Sequence, residues 1–497
     1  MAYRSLEDFV KRLESAGELI RISAPVDAEL EITEIADRVM KAPPEYNKAL
    51  LFENVRGYDI PVLINMFGSP RRMAWALGVD HLEELRHRLA ELIKPEVPQS
   101  WTEKVRKAVD LLPVLRSVAP KRVRKAPCQE VVITDNPSLE RLPILKCWPK
   151  DGGKYITLPQ VISRDPRTGR RNVGMYRLQV YDERTLAMHW QIHKGGAEHE
   201  RVAHDIGETR IPVAVALGGD PAEIWAASAP LPPDIDEYML AGWIRGKPVA
   251  LVPCVSQPLE VPADADIVIE GYVDVTDQRP EGPFGDHTGY YTPQDLYPVM
   301  HVTAITHRRH PIYPTTIVGR PPMEDYWMGK ATERLFLPLL QLFLPEVLDM
   351  NMPAEGVFHN LVIVKMRKRY PGHVRKVIHG LWGLGLMMLA KCIVVVDDWV
   401  NVHDLSEVAW QVLGNVDWAR DVVITEGPVD ALDHASYRPN FGGKIGIDAT
   451  AKDERDGYTR GWPERIEMSP EIKALVDRRW TEYGLPPLPK RKPPFVP

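Results

Sequence analysis

Two acidic residues and a histidine are concentrated in one short segment, Glu281-Gly-Pro-Phe-Gly-Asp-His-Thr-Gly-Tyr-Tyr291. Its three glycines and one proline exclude a regular helix or strand, because glycine admits positive φ and proline fixes φ and lacks an N–H donor. The segment is predicted to be a shaped loop carrying Glu281, Asp286 and His287. Two carboxyl groups held on a tight backbone can transfer protons. Taken alone, however, the composition favours a solvated surface turn, because Asp, Gly and Pro are typical of turns.

Six further polar residues interrupt the apolar segments that precede this loop: Asn172, Arg177, Gln191, His193, Ser228 and Glu237. Arg177 offers a planar fork for a carboxylate, although an isolated arginine more often pairs with an acid of its own protein. Asparagine, histidine and glutamate suit Mn²⁺ or Mg²⁺ rather than a metal that prefers thiolates. Such residues also occur together by chance, so their spacing alone does not decide between a metal site and structural polar groups.

Familiar catalytic and nucleotide-binding motifs are absent from the sequence. The cluster Gly380-Leu-Trp-Gly-Leu-Gly385 lies inside an apolar, helix-like run and before a strand, whereas a dinucleotide-binding loop follows its strand. No GxxxxGK[ST], HExxH or GxSxG sequence occurs. Phosphate-loop, thermolysin-like and α/β-hydrolase chemistry therefore have no local support.

Length, charge and cysteine usage limit the class of protein. The 497 residues are 44% hydrophobic, and 62 basic against 68 acidic residues give a net charge of −6, which argues against nucleic-acid binding. No apolar run approaches the ~20 residues that cross a bilayer, and the charged start does not resemble a signal peptide. The four cysteines have no CxxC spacing and suggest neither a zinc knuckle nor a disulfide framework. A cytoplasmic protein is expected.

Hydrophobic periodicity predicts three domains. Residues 1–120 alternate helices and short strands, beginning with a helix from Ser5 to Ala16 that Ser5 caps. Residues 121–318 contain many short strands joined by Gly and Pro turns, including one at 186–193, and a single helix near 236–244. Residues 319–497 return to mixed α/β texture, with helices at 331–343, 377–391 and, as a tail, 470–483. The predicted fold class is a multidomain α+β and α/β protein.

Several segments together resemble the UbiD family of decarboxylases, in order and over residues 5–485. The acid loop resembles the family's signature, and the closest branch is that of the 3-polyprenyl-4-hydroxybenzoate decarboxylases. The other matching segments are Gly17-Glu-Leu-Ile-Arg21, Leu30-Glu-Ile-Thr-Glu-Ile-Ala-Asp37, Asn172-Val-Gly-Met-Tyr-Arg177, Ala226-Ala-Ser-Ala-Pro230, Asp236-Glu-Tyr238 and Gly442-Gly-Lys-Ile-Gly-Ile-Asp-Ala-Thr450.

The resemblance implies a flavin site in the middle domain. That domain would be a split β-barrel related to flavin reductases, flanked by an N-terminal α/β domain and a C-terminal α/β oligomerisation domain. The cofactor would be prenylated FMN, made by a separate flavin prenyltransferase. By position, Asn172, His193 and Glu237 would ligate a Mn²⁺ (or Mg²⁺) that ties the cofactor phosphate to the protein, with a K⁺ nearby. The implied cofactor-binding residues are Asn172, Val173, Gly174, Met175, Tyr176, Arg177, Gln191, Ser228, Ala229, Pro230 and Glu237.

The same resemblance implies that Arg177, Glu281 and Asp286 are the catalytic residues. Arg177 would pair with Glu281 and lower its pKa, and Asp286 would deliver the proton that replaces CO₂. Some family members have Glu where this chain has Asp286, so the proton could also travel through water or His287. A lysine that contacts the flavin phosphate in some relatives has no clear counterpart in 381–386.

The favoured substrate is a 3-polyprenyl-4-hydroxybenzoate, as in a ubiquinone-type pathway. A menaquinone-pathway naphthoate or a simple hydroxybenzoate is the alternative, in either direction of the reaction, because pocket shape decides the substrate. A non-catalytic flavin-binding protein is the alternative from another class. The expected partners are a small aromatic acid, the prenyltransferase and further copies of the chain, as a dimer or hexamer, with peripheral membrane contact if the substrate is polyprenylated.

Overall fold

The computed structural model describes residues 2–93, 117–191, 195–232 and 235–487. It divides into two compact units, Met1–Phe336 and Leu337–Pro497, which we call the first and second units. The three-domain boundaries at residues 120 and 318 stay predictions. His193, one of the three predicted metal ligands, lies outside the described residues.

The first unit begins with the predicted capped helix. Ser5 Oγ accepts a hydrogen bond from the Asp8 amide at 3.3 Å, and the residues at helical spacing, Leu6 to Leu13, face the core. A four-stranded sheet follows, in which the neighbouring strands are, in order, Leu19–Ile22, Ala49–Phe52, Val62–Ile64 and Tyr313–Pro314. The strands of this unit are β1 Leu19–Ile22, β2 Ala49–Phe52, β3 Val62–Ile64, β4 Lys121–Arg122, β5 Val131–Ile133, β6 Tyr155–Ile156, β7 Gln160–Arg164, β8 Arg171–Gly174, β9 Leu178–Gln179, β10 Thr185–Ala187, β11 Arg210–Leu217, β12 Ala250–Pro253, β13 Glu260–Pro262, β14 Ile267–Glu281, β15 Phe284–Gly285, β16 Tyr291–Thr292, β17 Asp295–His307 and β18 Tyr313–Pro314. The helices are α1 Leu6–Ser15, α2 Glu31–Met40, α3 Pro70–Ala76, α4 Leu82–Ile93, α5 Gly195–Ile206, α6 Pro221–Ala226, α7 Glu237–Arg245 and α8 Glu324–Phe343, the last of which continues into the second unit.

A seven-stranded sheet is the scaffold of the first unit. Its order is β10-β17-β14-β11-β7-β8, and β5 also pairs with β17. Both faces of β11 are buried: Val213, Val215 and Leu217 pack in one core, whereas Ala214 and Ala216 pack in another. This is the period-2 alternation of a strand covered on both sides. The strand pairings in the described part of the chain do not close this sheet into a barrel, so the split-barrel topology stays a prediction.

Two predictions of local structure in this unit need correction. The strand predicted at 186–193 ends at Ala187, after which Met188 N bonds to Pro298 O at 2.9 Å and the chain leaves the sheet. Helices α5 and α6 were not predicted. The two glycines that open α5 favour a loop, whereas α6 carries a signal that was overlooked, an Asp220 cap followed by proline at the first helical position.

The second unit is a mixed α/β sheet with helices. Its strands, in the order β19-β20-β21-β23-β22, are β19 Val347–Asn351, β20 Leu361–Met366, β21 Cys392–Val396, β22 Val422–Pro428 and β23 Phe441–Asp448. Alternate residues of β21 again pack in two cores, Ile393 and Val395 in one and Val394 and Val396 in the other. The helices are α9 His373–Trp382, α10 Leu405–Asn415 and α11 Pro470–Arg479.

The helix predicted at 377–391 is shorter than expected. Helix α9 ends at Trp382, and a 3₁₀ segment follows at Gly385–Leu389. Gly385 has a φ of +48°, which takes the backbone out of the α-helical region. The tail helix is observed at Pro470–Arg479, and a 3₁₀ turn extends it to Tyr483. In the described part of the chain no helix is both long enough and apolar enough to cross a membrane.

Candidate active site

The acid loop joins the end of β14 to a small hairpin formed by β15 and β16. Glu281 is the last residue of β14, and Asp286 follows β15. Gly282 and Gly289 have φ values of +100° and +81°, a backbone region that other residues rarely adopt. The glycines therefore let the backbone turn within the segment, as a shaped loop requires. The exclusion of strands is wrong in part, because Glu281 ends β14, Phe284–Gly285 form β15 and Tyr291 begins β16.

Buried polar groups hold the loop in place. Gln179 Oε1 accepts a hydrogen bond from the Gly282 amide at 2.7 Å, and Asp151 Oδ1 accepts one from the Gly285 amide at 2.8 Å. The hydroxyl of Tyr155 donates to Pro283 O at 3.2 Å. As a result Glu281 is 0% and Asp286 6% exposed. The interpretation as a solvated surface turn is therefore wrong for the two acids, whereas Gly289 to Tyr291 are exposed.

Arg177 joins the two carboxylates. It lies between β8 and β9, and its Nε and Nη2 donate to Glu281 Oε1 and Oε2 at 2.8 and 3.0 Å. Its Nη1 donates to Asp286 Oδ2 at 2.6 Å. The guanidinium carbon also lies 4.6 Å from the centre of the Phe284 ring. One arginine thus makes a bidentate pair with the first acid and a single charged hydrogen bond to the second.

This arrangement keeps both acids ionised. Burial on its own would raise the pKa of Glu281, but hydrogen bonds from His189 and Arg177 outweigh burial and lower it to about 2. Burial also opposes ionisation of Asp286, yet the His287 contacts and the Arg177 charge lower its pKa well below the usual value. At neutral pH the guanidinium therefore faces two carboxylates, and the group of three carries a net charge of −1.

His189 is a further member of the site that the sequence analysis did not single out. Its Nδ1 lies 3.2 Å from Glu281 Oε2, and its ring centre is 4.3 Å from that of Tyr297. Burial and the charge of Arg177 lower its pKa, so the neutral imidazole is favoured and Nδ1–H donates to Glu281. The sequence shows that His189 precedes the predicted site residues Gln191 and His193 by two and four positions. Its pairing with Glu281, 92 residues away, could not be seen there.

His287 contacts the second acid from the other side. Its backbone amide and its Nδ1 both lie against Asp286 Oδ1, at 2.8 and 2.9 Å. Asp286 thus receives Arg177 on Oδ2 and His287 on Oδ1. The His287 side chain is 20% exposed, so its ring connects the buried acid with solvent.

The predicted cofactor segment Asn172 to Tyr176 lies on and directly after β8. Asn172 Nδ2 donates to the Tyr176 hydroxyl at 3.2 Å, and the Met175 amide donates to Ala227 O at 2.8 Å. The amide of Val173, the residue after the predicted ligand Asn172, donates to Glu237 Oε2 at 2.9 Å. A Cβ at Gly174 would lie 2.2 Å from the Tyr176 ring, so only glycine fits there.

The remaining predicted cofactor residues lie on turns of the first unit. Ser228, Ala229 and Pro230 follow Ala227, the residue that caps the C-terminus of α6, and Ser228 Oγ donates to Trp225 O at 2.7 Å. Gln191 is half-buried after β10.

The donor groups of Asn172 and Glu237 fit a hard divalent cation. Burial raises the pKa of Glu237 to about 7, although the hydrogen bond from the Val173 amide and the charge of Arg171 oppose this rise. A Cβ on Gly195 would lie 2.1 Å from Asn172 Oδ1, so glycine leaves room around that amide oxygen. Amide and carboxylate oxygens are ligands that Mn²⁺ and Mg²⁺ accept. Within the described ranges no cluster of three or more His, Cys, Asp or Glu side chains could hold a metal by itself.

Three family models match the chain. Residues 10–92 match the 3-octaprenyl-4-hydroxybenzoate carboxy-lyase N-terminal domain of the UbiD family, residues 121–321 its Rift-related domain and residues 326–449 its C-terminal domain. Together these matches cover most of the sequence. An uncharacterized protein of Aquifex aeolicus (strain VF5) is 56% identical over 484 residues, which are 97% of this chain and 99% of the relative.

Solved structures of two enzymes resemble the whole chain. The vanillic acid decarboxylase of Sedimentibacter hydroxybenzoicus in its closed form has a TM-score of 0.85 at 27% identity, covering 97% of this chain and 99% of that one. The UbiD-class enzyme HmfF from Pelotomaculum thermopropionicum in complex with FMN has a TM-score of 0.79 at 30% identity, covering 95% and 99%. An evolved dimeric form of HmfF in complex with prFMN has a TM-score of 0.77 at 29% identity, covering 96% and 100%.

Proposed function

Because the chain belongs to the UbiD family and is a decarboxylase, we propose that it removes the carboxyl group of an aromatic acid with prenylated FMN as its cofactor. The observation that carries this proposal is the buried group of Arg177, Glu281 and Asp286, in which one guanidinium holds two ionised acids. A protein that only binds flavin has no need of such a group, because burying charged side chains is costly.

The cofactor would lie against β8 and the turn after α6. Asn172 and Glu237, with His193, would hold the Mn²⁺, or Mg²⁺, of its phosphate, and a K⁺ would lie nearby. The backbone of Val173 to Tyr176 and the turn Ser228 to Pro230 would hold the flavin, with Gln191 at its side. When bound, prenylated FMN supplies an electron sink for the pair of electrons that CO₂ leaves behind.

The side chains of the site have separate tasks. Glu281 keeps a fixed negative charge beside the cofactor, because Arg177 and His189 hold it ionised and oriented. Asp286 hands a proton to the carbon that has lost its carboxyl group. Burial of both acids limits exchange with bulk water and strengthens each charge interaction.

The substrate class is an aromatic acid, with 3-polyprenyl-4-hydroxybenzoate as the favoured member. This preference rests on the resemblance of the acid loop and its neighbours to one branch of the family. A simple hydroxybenzoate is the alternative that the high TM-score with vanillic acid decarboxylase favours. A naphthoate is a third member to test.

A substrate panel on the cofactor-loaded enzyme tests the function. The protein is produced together with a flavin prenyltransferase and given 3-polyprenyl-4-hydroxybenzoate, 4-hydroxybenzoate, vanillate and a hydroxynaphthoate. We expect CO₂ release from at least one acid, and none from protein loaded with unmodified FMN. Equal release with either flavin, or no release from any acid, would overturn the proposal.

Removing the Glu237 carboxylate should remove metal and flavin together. In Glu237→Gln the amide lacks the negative charge that a divalent cation needs, and we expect metal and flavin occupancy to fall by about 10- to 100-fold. Metal analysis and flavin absorbance of the purified protein measure this. The exposed Glu208→Gln is the matched control and should keep both. Full occupancy in Glu237→Gln would show that the metal lies elsewhere.

The partners follow from this function. The flavin prenyltransferase supplies the cofactor, and a polyprenylated substrate would bring the protein to the membrane surface from the cytoplasm. We also propose a homo-oligomer, a dimer or hexamer, formed through the C-terminal domain. Its support is that Leu342 and Phe343 at the end of α8 are 55% and 66% exposed, and that α11 buries no residue within the chain.

A further inference from the structure

The proton donor of the site is the subject of this inference, which rests on the proposed function. Asp286 is placed to hand over a proton, but it is bound by Arg177 on one oxygen and by His287 on the other. These contacts hold its pKa well below the usual value, against the effect of burial. A general acid works best when its pKa lies near the working pH. At neutral pH Asp286 is therefore ionised and does not hold a proton of its own, although its position allows it to transfer one.

The charge balance of the site points to a second cation. Arg177 contributes one positive charge against the two negative charges of Glu281 and Asp286. His189 does not compensate the difference, because burial and Arg177 lower its pKa. Among the described residues, His287 is the other ionisable side chain that hydrogen-bonds to either acid, through Nδ1 at 2.9 Å from Asp286 Oδ1. A protonated His287 would make the buried group neutral overall.

A third carboxylate, that of Asp325, interacts with the charge of His287. Asp325, at the start of α8, accepts a hydrogen bond from the Tyr326 amide through Oδ1, whereas its buried Oδ2 has no hydrogen-bond partner among the described residues. Burial raises the pKa of Asp325 to about 7, and the strongest charge that opposes burial is that of His287. A buried carboxylate oxygen without a donor is costly unless a cation or a proton reaches it.

Two further charged residues belong to the segments next to Asp325 and to the loop. Glu324, beside Asp325, accepts the amides of Asn65 and Phe67 at 3.1 and 2.8 Å. From the segment that packs on the loop, the backbone of Arg320 approaches within 3.3 Å of the Cβ position of Gly289, and the Arg320 residue itself is exposed. Asp286 from its own loop and Asp325 from α8 thus both act on His287.

We propose that His287, buffered by Asp325, stores the proton of the reaction and passes it through Asp286 to the substrate carbon. The bond between that carbon and the carboxylate breaks, CO₂ leaves, and the electron pair stays with the organic fragment. The proton on His287 Nδ1 moves to Asp286 Oδ1, and the proton from Asp286 forms the new C–H bond. Water at the 20% exposed ring of His287 then replaces the proton, so each turnover takes one proton from solvent. His287 acts through Asp286 and is in this sense a positioning residue.

Two rates measured on one sample separate proton delivery from cleavage of the carboxyl group. Exchange of ¹³C-bicarbonate into the carboxylate of 4-hydroxybenzoate, or of whichever panel acid is turned over, needs only breaking and reforming of the C–C bond. Net product formation needs the proton as well. In wild type we expect net formation to decline as pH rises, because His287 then loses the proton that it stores, while carboxylate exchange does not decline.

The test variants are His287→Asn and Asp325→Asn. The Asn amide at position 287 can donate to Asp286 Oδ1 but cannot titrate, so net formation should fall by about 100-fold while carboxylate exchange stays within about threefold. In Asp325→Asn the decline should move to lower pH by about one unit, because the charge that favours protonated His287 is gone. His287→Gln is made as a second variant in case His287→Asn does not fold.

Two outcomes would overturn the inference. Equal losses of exchange and net formation in the foldable His287 variant would show a structural role, and an unchanged rate and pH profile would show no role. Absence of both reactions in loaded wild type, with every acid of the panel, would instead contradict the proposed function, and the inference would fall with it.

Discussion

Glu281→Gln is expected to lower the rate of CO₂ release by about 10²- to 10³-fold, the usual loss when one preorganised charged group is removed from a site. The Gln side chain has the shape of Glu but no charge, and its NH₂ group would face either the donors of Arg177 or the donor of His189. The bidentate pair is therefore lost, and the fixed negative charge beside the cofactor is lost with it. Initial rates of CO₂ release by the loaded variant measure the effect.

The matched control is Asp295→Asn. Asp295 lies opposite Glu281 in the β14–β17 pair and is exposed, so the same acid-to-amide change there should leave the rate within about twofold. Flavin absorbance of both variants must equal that of wild type, so that a low rate is not a loss of cofactor. A Glu281→Gln rate within tenfold of wild type would show that the charge of Glu281 does not support the reaction.

Arg177→Met is expected to destabilise the protein by about 3–5 kcal/mol and to remove activity. The methionine fills much of the same volume, but it leaves the Glu281 and Asp286 carboxylates buried next to each other without their shared donor. Urea unfolding of the two proteins measures the difference in the free energy of unfolding. Adding Glu281→Gln to Arg177→Met should recover part of the loss, because one unpaired charge is then gone.

The same variant should show a defined pH dependence. In wild type the pKa of Glu281 is lowered from 4.5 to about 2. A lowered folded-state pKa contributes stability that is fully present above pH 4.5 and is lost as pH falls toward 2. The difference between wild type and Arg177→Met should therefore be constant near neutrality and shrink below about pH 4.5. The surface variant Arg279→Met, whose partner Asp277 is also partly exposed, should change stability by only about 0.5 kcal/mol.

Local features of the fold were predictable from the sequence because their causes are local. The first helix could be placed from the Ser5 cap and the spacing of Leu6 to Leu13. The loop after β14 could be placed from its glycines, two of which do adopt positive φ. A glycine can lie in a helix or in a turn, and the local sequence does not distinguish the two. The secondary structure was therefore predicted wrongly at the start of α5 and at Gly385, where tertiary packing decides.

Which residues meet in the site could not be predicted from local sequence, because they come from distant parts of the chain. Arg177 meets Glu281 across 104 residues and Asp286 across 109 residues, which no periodicity reveals. The loop was thus open to interpretation as a surface turn until its burial was known. The resemblance to a family suggested these three residues, but His189 and Asp325 emerged only from the structure, since single His and Asp residues carry no motif.

The central claim is that the buried Arg177, Glu281 and Asp286 of the first unit decarboxylate an aromatic acid. Its most direct test is mass spectrometry of the products that the loaded enzyme forms in D₂O from a carboxyl-¹³C acid of the panel. We predict that wild type releases ¹³CO₂ and leaves one deuterium on the carbon that held the carboxyl group, whereas Glu281→Gln does neither at a comparable rate. Return of every acid unchanged by wild type, or equal labelling by both proteins, would contradict the claim.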